Sequence, residues 1–172
     1  MNKTALCILF TFLTLFICCN SRQDEKALID EGNECIERGE YTKAVLNFRQ
    51  CVSANPSNSL AYNRMGIAYD YISEFDSAMY CYQRAIEIDP DYAQAWVNLG
   101  NSYSNKGSYD DAIDAYQKAL DLKPHLARVY YYMGLAYDAK DEKETGLEYI
   151  KKSAQMTYEK AQQHLKNLGE TW

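Results

Sequence analysis

The sequence repeats itself with a step of 34 residues, and this period limits the fold more than any other feature. All three prolines keep the step, at Pro56, Pro90 and Pro124. Four of the eight glycines keep it as well, at Gly32, Gly66, Gly100 and Gly134. A fixed period of this length is typical of a solenoid, in which one supersecondary unit stacks on copies of itself. Because a solenoid presents an extended surface, the period favours binding over catalysis.

Each copy contains two helical patterns. Small and aromatic residues recur at intervals of 3, 4 and 7, which is the spacing of one helical face. In the second half of each copy, a small residue is followed four positions later by a large one, giving the pairs Ala44 and Phe48, Ala78 and Tyr82, Ala112 and Tyr116, and Gly146 and Ile150. Helical backbone is disfavoured before proline, so the second helix of the first three copies should end there. The sequence therefore predicts an all-α fold, an α-solenoid of stacked antiparallel helix pairs.

The third copy carries the most informative motif of the chain. It contains Ala95-Trp96-Val97-Asn98-Leu99-Gly100-Asn101-Ser102-Tyr103, then Ala112, Tyr116, Ala119 and Pro124. This pattern resembles the tetratricopeptide repeat family. The resemblance covers residues 25–160 and divides them into repeats 25–58, 59–92, 93–126 and 127–160. In the fourth repeat Tyr158 replaces the closing proline. We expect a domain over 25–169, with about four repeats and a capping helix at 161–169.

The amino terminus has the composition of a signal peptide. Lys3 precedes an apolar stretch over residues 4–17, which is short for a membrane span. The stretch ends at Cys18-Cys19, and this resembles a bacterial lipoprotein signal, in which a lipid-modified cysteine becomes the first mature residue. Cys19 is favoured because the small Cys18 precedes it, and Cys18 is the alternative because Leu15 stands where leucine is usual. An ordinary secretory leader and an uncleaved anchor are also left open.

The leader has consequences for the location of the protein. We expect a signal peptide over 1–18, a lipidated tether over 19–24, and attachment to the membrane through acyl chains such as palmitate. The resemblance implies the bacterial cell envelope, at the outer membrane, on either its periplasmic face or the cell surface. The net charge of −6 disfavours a nucleic-acid partner and direct adsorption to an anionic membrane.

The sequence contains no recognisable catalytic or metal-binding motif. His125 and His164 are isolated in the sequence, and no nucleophile, phosphate-binding loop or metal-ligand spacing occurs. We therefore expect no enzyme activity, no cofactor, no metal and no small-molecule substrate. Cys35, Cys51 and Cys81 remain after the leader, and an odd number cannot form a complete disulfide framework. We interpret them as buried free thiols, with an approach of Cys35 to Cys51 as the alternative.

The resemblance also implies a binding groove. In this family the first helix of each pair lines the concave face. Carried onto this chain, the candidate groove residues are Asn33, Asn63, Arg64, Ile67, Tyr71, Asn98, Asn101, Arg128, Tyr131 and Tyr132. Asparagine amides can hydrogen bond to a peptide backbone, and tyrosine and arginine are frequent interface anchors. The expected function is a non-enzymatic adaptor or assembly factor that binds a protein or peptide partner. The alternative is a pilot or chaperone that escorts an envelope client.

One ligand of the family can be tested against the sequence. Members that bind the acidic tail of heat-shock chaperones use a defined set of lysine, asparagine and arginine. At those positions copies one to three have Ile29, Asn33, Arg64, Gln94 and Asn98. Copies two to four have Asn63, Ile67, Asn98, Arg128 and Tyr132. Neither set matches, so the sequence predicts a different partner.

Overall fold

A computed structural model describes residues 23–172 and is all-α over that range. The described part of the first helix, α1, covers 23–37. The helices that follow are α2 Tyr41–Ala54, α3 Ser59–Tyr71, α4 Phe75–Ile88, α5 Ala93–Asn105, α6 Tyr109–Leu122, α7 Ala127–Ala139, α8 Lys143–Gln155 and α9 Glu159–Leu168. They form four antiparallel pairs, α1–α2 to α7–α8, the first closed by Gly32 of α1 against Phe48 of α2, and α9 packs on α8 at the end of the stack. The predicted fold class is confirmed.

Within each pair, the glycine of the first helix receives the large side chain of the second. A Cβ atom added at Gly32 would lie 2.6 Å from Phe48 Cε1, and one added at Gly66 would lie 2.6 Å from Tyr82 Cε1. Phe48 and Tyr82 are both fully buried. The periodic glycine therefore makes room for a ring between the two helices, which explains why both columns keep the same step.

The fourth pair reaches the same packing with different residues. Ile150 replaces the aromatic ring and Gly146 replaces the alanine. A Cβ at Gly134 would lie 2.6 Å from Ile150 Cγ1 and 2.7 Å from the carbonyl oxygen of Gly146. Because both facing positions are glycine, the two backbones approach directly. The departures from the pattern in this repeat thus compensate one another.

The turns between pairs follow the prolines as the sequence predicts. Asn55, Asp89 and Lys123 precede Pro56, Pro90 and Pro124, and their φ values of −134°, −132° and −138° are non-helical. The helices α2, α4 and α6 end at the residue before these positions. Steric conflict between proline and helical backbone at the preceding residue accounts for this.

The turns within pairs share a feature that the pattern of glycines only half reveals. The residue with left-handed backbone keeps the 34-residue step, as Gly39, Ser73, Gly107 and Asp141, with φ between 62° and 81°. The next residue donates its backbone N–H to the carbonyl of the fifth residue before it, as Glu74 does to Tyr69 at 3.0 Å. This is the usual left-handed ending of a helix.

The stack is curved, with the first helices on its inner side. Those of neighbouring pairs touch directly, since α3 packs on α5 and α5 packs on α7. Clefts separate the second helices, one between α2 and α4 and one between α4 and α6. Close approach on one side and separation on the other place the candidate groove on the concave face.

Several boundaries differ from the expectation or lie beyond the structure. The signal peptide, Cys18 and Cys19 fall outside the described residues. Gln23 and Asp24, assigned to the tether, are helical. The final helix α9 runs from Glu159 to Leu168, and Gly169 ends it in left-handed conformation. No helix within residues 23–172 is long and apolar enough to cross a membrane.

The three cysteines of the domain are free and buried, as expected. Burial raises the pKa of Cys51 to about 11 and that of Cys81 to about 12. Because the thiolate is the reactive form, the Cys51 and Cys81 thiols are unreactive near neutral pH. They fill small packing positions between helices.

The glycine contact predicts a context-dependent effect of Gly100→Ala. An added Cβ would lie 2.5 Å from Tyr116 Cε1, and the three nearest atoms all belong to that ring. We expect a loss of about 1–3 kcal/mol in the free energy of unfolding. In a Tyr116→Val background the clash is absent, so the same change should cost little or stabilise through helix propensity, by up to about 1 kcal/mol. Urea denaturation of the four proteins measures this double-mutant cycle. An equal cost in both backgrounds would contradict it.

Candidate peptide-binding groove

Two of the predicted groove residues are engaged inside the protein. Asn63 and Asn98 are only 2% and 8% exposed. The Asn98 Nδ2 donates to Asn63 Oδ1 at 2.9 Å, and Asn63 Nδ2 donates to the Tyr92 hydroxyl at 3.3 Å. These amides therefore join α3 to α5, and the expectation that they contact a ligand backbone is corrected. Each side chain is turned into the seam between neighbouring first helices.

The same hydrogen-bonded row continues to the fourth repeat. Gln94 Nε2 donates to Asn98 Oδ1 at 2.8 Å, and Arg128 Nη2 donates to Gln94 Oε1. The row thus connects α3, α5 and α7 through side chains alone. The hydrogen bond to Gln94 holds Arg128, a predicted anchor, by a neutral partner. The positive charge of the guanidinium group is not neutralised by this partner.

Two predicted residues hold polar atoms that lack a partner among the described residues. These are Asn33 Oδ1 and Arg64 Nε, both buried at the atom level. A buried donor or acceptor without a partner is costly, and a bound ligand can satisfy it. Neither Arg64 nor Arg128 forms a salt bridge with any carboxylate within 23–172. The inner face therefore offers two guanidinium groups to an acidic partner.

The carboxy-terminal part of the groove is an aromatic cluster. Tyr131 lies 6.1 Å from Tyr132, 5.6 Å from Tyr158 and 5.9 Å from His164 between ring centroids. The Tyr131 hydroxyl is 3.4 Å from His164 Nδ1. Burial raises the pKa of both Tyr131 and Tyr158, so both remain neutral donors at physiological pH. Three of the predicted groove residues therefore lie together in the last repeat: Arg128, Tyr131 and Tyr132.

Two shallow cavities follow this cluster along the inner face. One, of about 360 Å³, lies between α7 and α9 and is lined by Tyr131 and His164. The other, of about 340 Å³, lies between α5 and α7 and is lined by Asn101 and Tyr132. Both are open to solvent. Their shape suits side chains of an extended or helical segment.

The remaining predicted residues have mixed roles. Asn101 Oδ1 accepts from the Tyr116 hydroxyl at 2.8 Å, so the buried ring ends on the inner face. Ile67 is half-buried against the core. Tyr71 is 58% exposed, and its ring stacks on Tyr41 with centroids 4.4 Å apart. Only part of the predicted set therefore remains free for a ligand.

Sequence reasoning missed two members of the cluster, Tyr158 and His164. Tyr158 stands where the first three repeats have proline, and this departure from the pattern could have marked it as a candidate. His164 gave none, because only the docking of α9 brings it to Tyr131. Within residues 23–172 no group of three His, Cys, Asp or Glu side chains could hold a metal ion.

A partly buried carboxyl group, that of Asp70, lies at the carboxy-terminal end of α3. Asp70 accepts from the Tyr82 hydroxyl at 2.7 Å and from the Ser102 hydroxyl at 2.7 Å. These bonds join α3, α4 and α5. Burial raises the pKa of Asp70, although both hydrogen bonds act to lower it.

Comparison with family models agrees with the repeat pattern. Models described as tetratricopeptide repeat match residues 93–126 and 25–58, and one described as TPR repeat matches residues 72–107. No curated protein sequence matches the chain.

Several solved structures are similar to this chain in fold. A crystal structure of MamA is similar over 80% of this chain and 81% of that one, with 31% identity and a TM-score of 0.74. MamA from Desulfovibrio magneticus RS-1 has 23% identity and a TM-score of 0.74, with coverage of 83% and 81%. The first tetratricopeptide domain of Spaghetti (RPAP3), bound to an HSP90 peptide, has 20% identity and a TM-score of 0.67, with coverage of 69% and 94%.

The raised pKa of Asp70 predicts a specific pH dependence. The folded protein takes up this proton at a higher pH than the unfolded chain does, so the contribution of Asp70 to stability is largest in acid. It falls as the pH rises above the ordinary aspartate pKa of about 4. We expect the free energy of unfolding of the wild type, relative to Asp70→Asn, to decrease with rising pH. Urea denaturation between about pH 4 and 7 measures it, with the exposed Asp114→Asn as the matched control. A difference that grows with pH would contradict the prediction.

Proposed function

Because the chain belongs to the tetratricopeptide repeat family, we propose that it is a non-enzymatic adaptor or assembly factor. It binds a segment of a partner protein along the inner face of its first helices. The observation that carries this proposal is the pair of inner-face arginines, Arg64 and Arg128, which have no carboxylate partner within residues 23–172. The partner segment therefore carries acidic groups.

The groove supports a division of roles along its length. Arg64 and the unsatisfied Asn33 Oδ1 lie towards the amino-terminal repeats and favour polar contacts. Tyr131 and Tyr132 lie in the last repeat and favour aromatic or aliphatic side chains of the partner. A segment bound along the groove has a polar acidic part and an apolar part.

The solved relatives support a groove-binding role without naming the partner. The Spaghetti (RPAP3) domain holds an HSP90 peptide. In either alignment of the repeats, only one of the five residues with which the family binds chaperone tails is matched in this sequence, so we propose an acidic partner of another kind.

We further propose that the protein is a lipoprotein of the bacterial cell envelope. Support comes from the sequence of residues 1–19, with its basic start, apolar stretch and terminal cysteines. Four residue steps separate Cys19 from residue 23, where the described helix begins, a span of at most about 14 Å when extended. An anchor at Cys19 would hold the repeats close to the membrane surface.

Removal of the two arginines tests the groove. We expect the double variant Arg64→Ala, Arg128→Ala to lose most partner capture in crosslinked pull-down from membranes, because the acidic groups lose both cations. The matched control, Lys43→Ala with Lys143→Ala, removes two exposed positive charges elsewhere and should capture normally. Circular dichroism checks that helicity is unchanged. Undiminished capture by the arginine variant would refute the groove proposal. A client that misassembles without any lasting complex would indicate the pilot function instead.

A second experiment tests the anchor. We expect Cys19→Ser to abolish incorporation of labelled palmitate and to release the protein from the membrane fraction. The Cys18→Ser variant should still be labelled. Labelling that depends on Cys18 alone would reverse the assignment, and labelling of neither wild type nor variants would refute the lipoprotein proposal.

A further inference from the structure

The outer face carries a cleft that the groove does not use. It lies between α4 and α6, has a volume of about 640 Å³, and has α5 as its floor. Trp96, Leu99 and Tyr103 form the floor, and Ala115 forms part of the wall. A similar cleft of about 420 Å³ lies one repeat earlier, where Tyr69 and Cys81 occupy the equivalent positions.

The last repeat fills the equivalent position with its own side chain. Tyr149 stands 34 residues after Ala115 and 68 after Cys81. Its ring stacks on Tyr137 with centroids 5.3 Å apart and planes within 6°. Tyr137 is in turn the equivalent of Tyr103. In the last repeat, an aromatic ring therefore stacks on Tyr137. In the third repeat, the small Ala115 leaves the space above Tyr103 open.

In two other repeats, a cationic side chain lies over the aromatic ring equivalent to Trp96. Lys152 Nζ lies 4.2 Å from the ring centroid of Tyr130, and the Arg84 guanidinium lies 5.8 Å from that of Tyr62. The equivalent pair in the third repeat is Lys118 and Trp96, and no cation of the described residues lies over the Trp96 ring. Indole is the strongest of the aromatic partners for a cation. The third repeat therefore also leaves the face of the Trp96 ring open to a cation.

The rim of the cleft is acidic. Glu87, Asp111 and Asp114 line it together with the cation Lys118, and Glu87 is paired with Arg84. Asp111 and Asp114 form no salt bridge with any residue of the part the structure describes. A ligand with positive charge would complement this rim, and an acidic one would be repelled.

We propose that the cleft over Tyr103 binds a segment of a partner protein in which an aromatic side chain lies beside lysine or arginine. The aromatic ring stacks on Tyr103, as Tyr149 stacks on Tyr137. The basic group lies over Trp96 and faces Asp111 and Asp114. Because this cleft is on the face opposite the groove, the protein can hold a basic segment and an acidic one at once. The inference is independent of the proposed groove.

The test is a titration of the full-length chain followed by NMR. The probe is the capped tripeptide lysyl-tyrosyl-lysine, and the readout is the indole N–H resonance of Trp96, distinguished from the other tryptophan by the Trp172→Phe variant. We expect a saturable shift. The peptide with alanine in place of tyrosine should bind about tenfold more weakly, and the peptide with glutamates in place of lysines should not bind.

Two variants test the assignment of the site. Ala115→Tyr places in the cleft the side chain that fills the last repeat, and should weaken binding at least about tenfold. Asp111→Asn with Asp114→Asn alters only exposed groups, so it should keep the fold and weaken binding. Its matched control, Asp138→Asn with Glu144→Gln, removes two acids elsewhere and should bind as the wild type does. Absence of a saturable shift, equal binding of the acidic peptide, or unchanged binding by the Asp111/Asp114 variant would overturn the proposal. Variants of Arg64 and Arg128 should not change this titration, so failure here and failure of the groove are distinguishable.

Discussion

The contact between a glycine of the first helix and a large side chain of the second holds each repeat together. At Gly32, Gly66 and Gly100 an added Cβ atom would lie within 2.6 Å of a ring atom. The ring can be this close only because glycine has no side chain, so both helices keep one fixed separation. In the second and third repeats the ring is tyrosine, and its hydroxyl reaches Asp70 and Asn101 near the inner face. The same contact that closes the core thus orders the polar residues of the groove.

The two faces of the stack have different chemistry because the first helices touch and the second helices do not. On the inner face, direct contact of α3, α5 and α7 buries Asn63 and Asn98 in a shared row of hydrogen bonds. Arginine and tyrosine extend from this rigid row. On the outer face, one repeated position lines the clefts with the small residues Cys81 and Ala115, and the last repeat has the large Tyr149 there.

Much of the fold could be predicted because its determinants are local and periodic. The prolines set the ends of α2, α4 and α6, and the glycine and aromatic columns set the pairing. The site was harder to predict. Whether Asn63 faces a ligand or a neighbouring helix depends on a small rotation of the helix, which the sequence pattern does not encode. The compensation of Gly146 and Ile150 opposite Gly134 also required the structure, because in the sequence Gly146 alone reads as erosion of the repeat. His164 joined the groove only through the docking of α9.

The account depends on the inner face being where the acidic partner binds, and site-specific photo-crosslinking measures this directly. A photoreactive amino acid placed at Asn105, exposed beside the inner cavity between α5 and α7, reports on the groove. One placed at the exposed Lys43 on the second helix α2 reports on a surface outside both proposed sites. The account predicts a partner adduct from position 105 that disappears when Arg64 and Arg128 are replaced, and none from position 43. An adduct from position 43 with none from position 105 would contradict it.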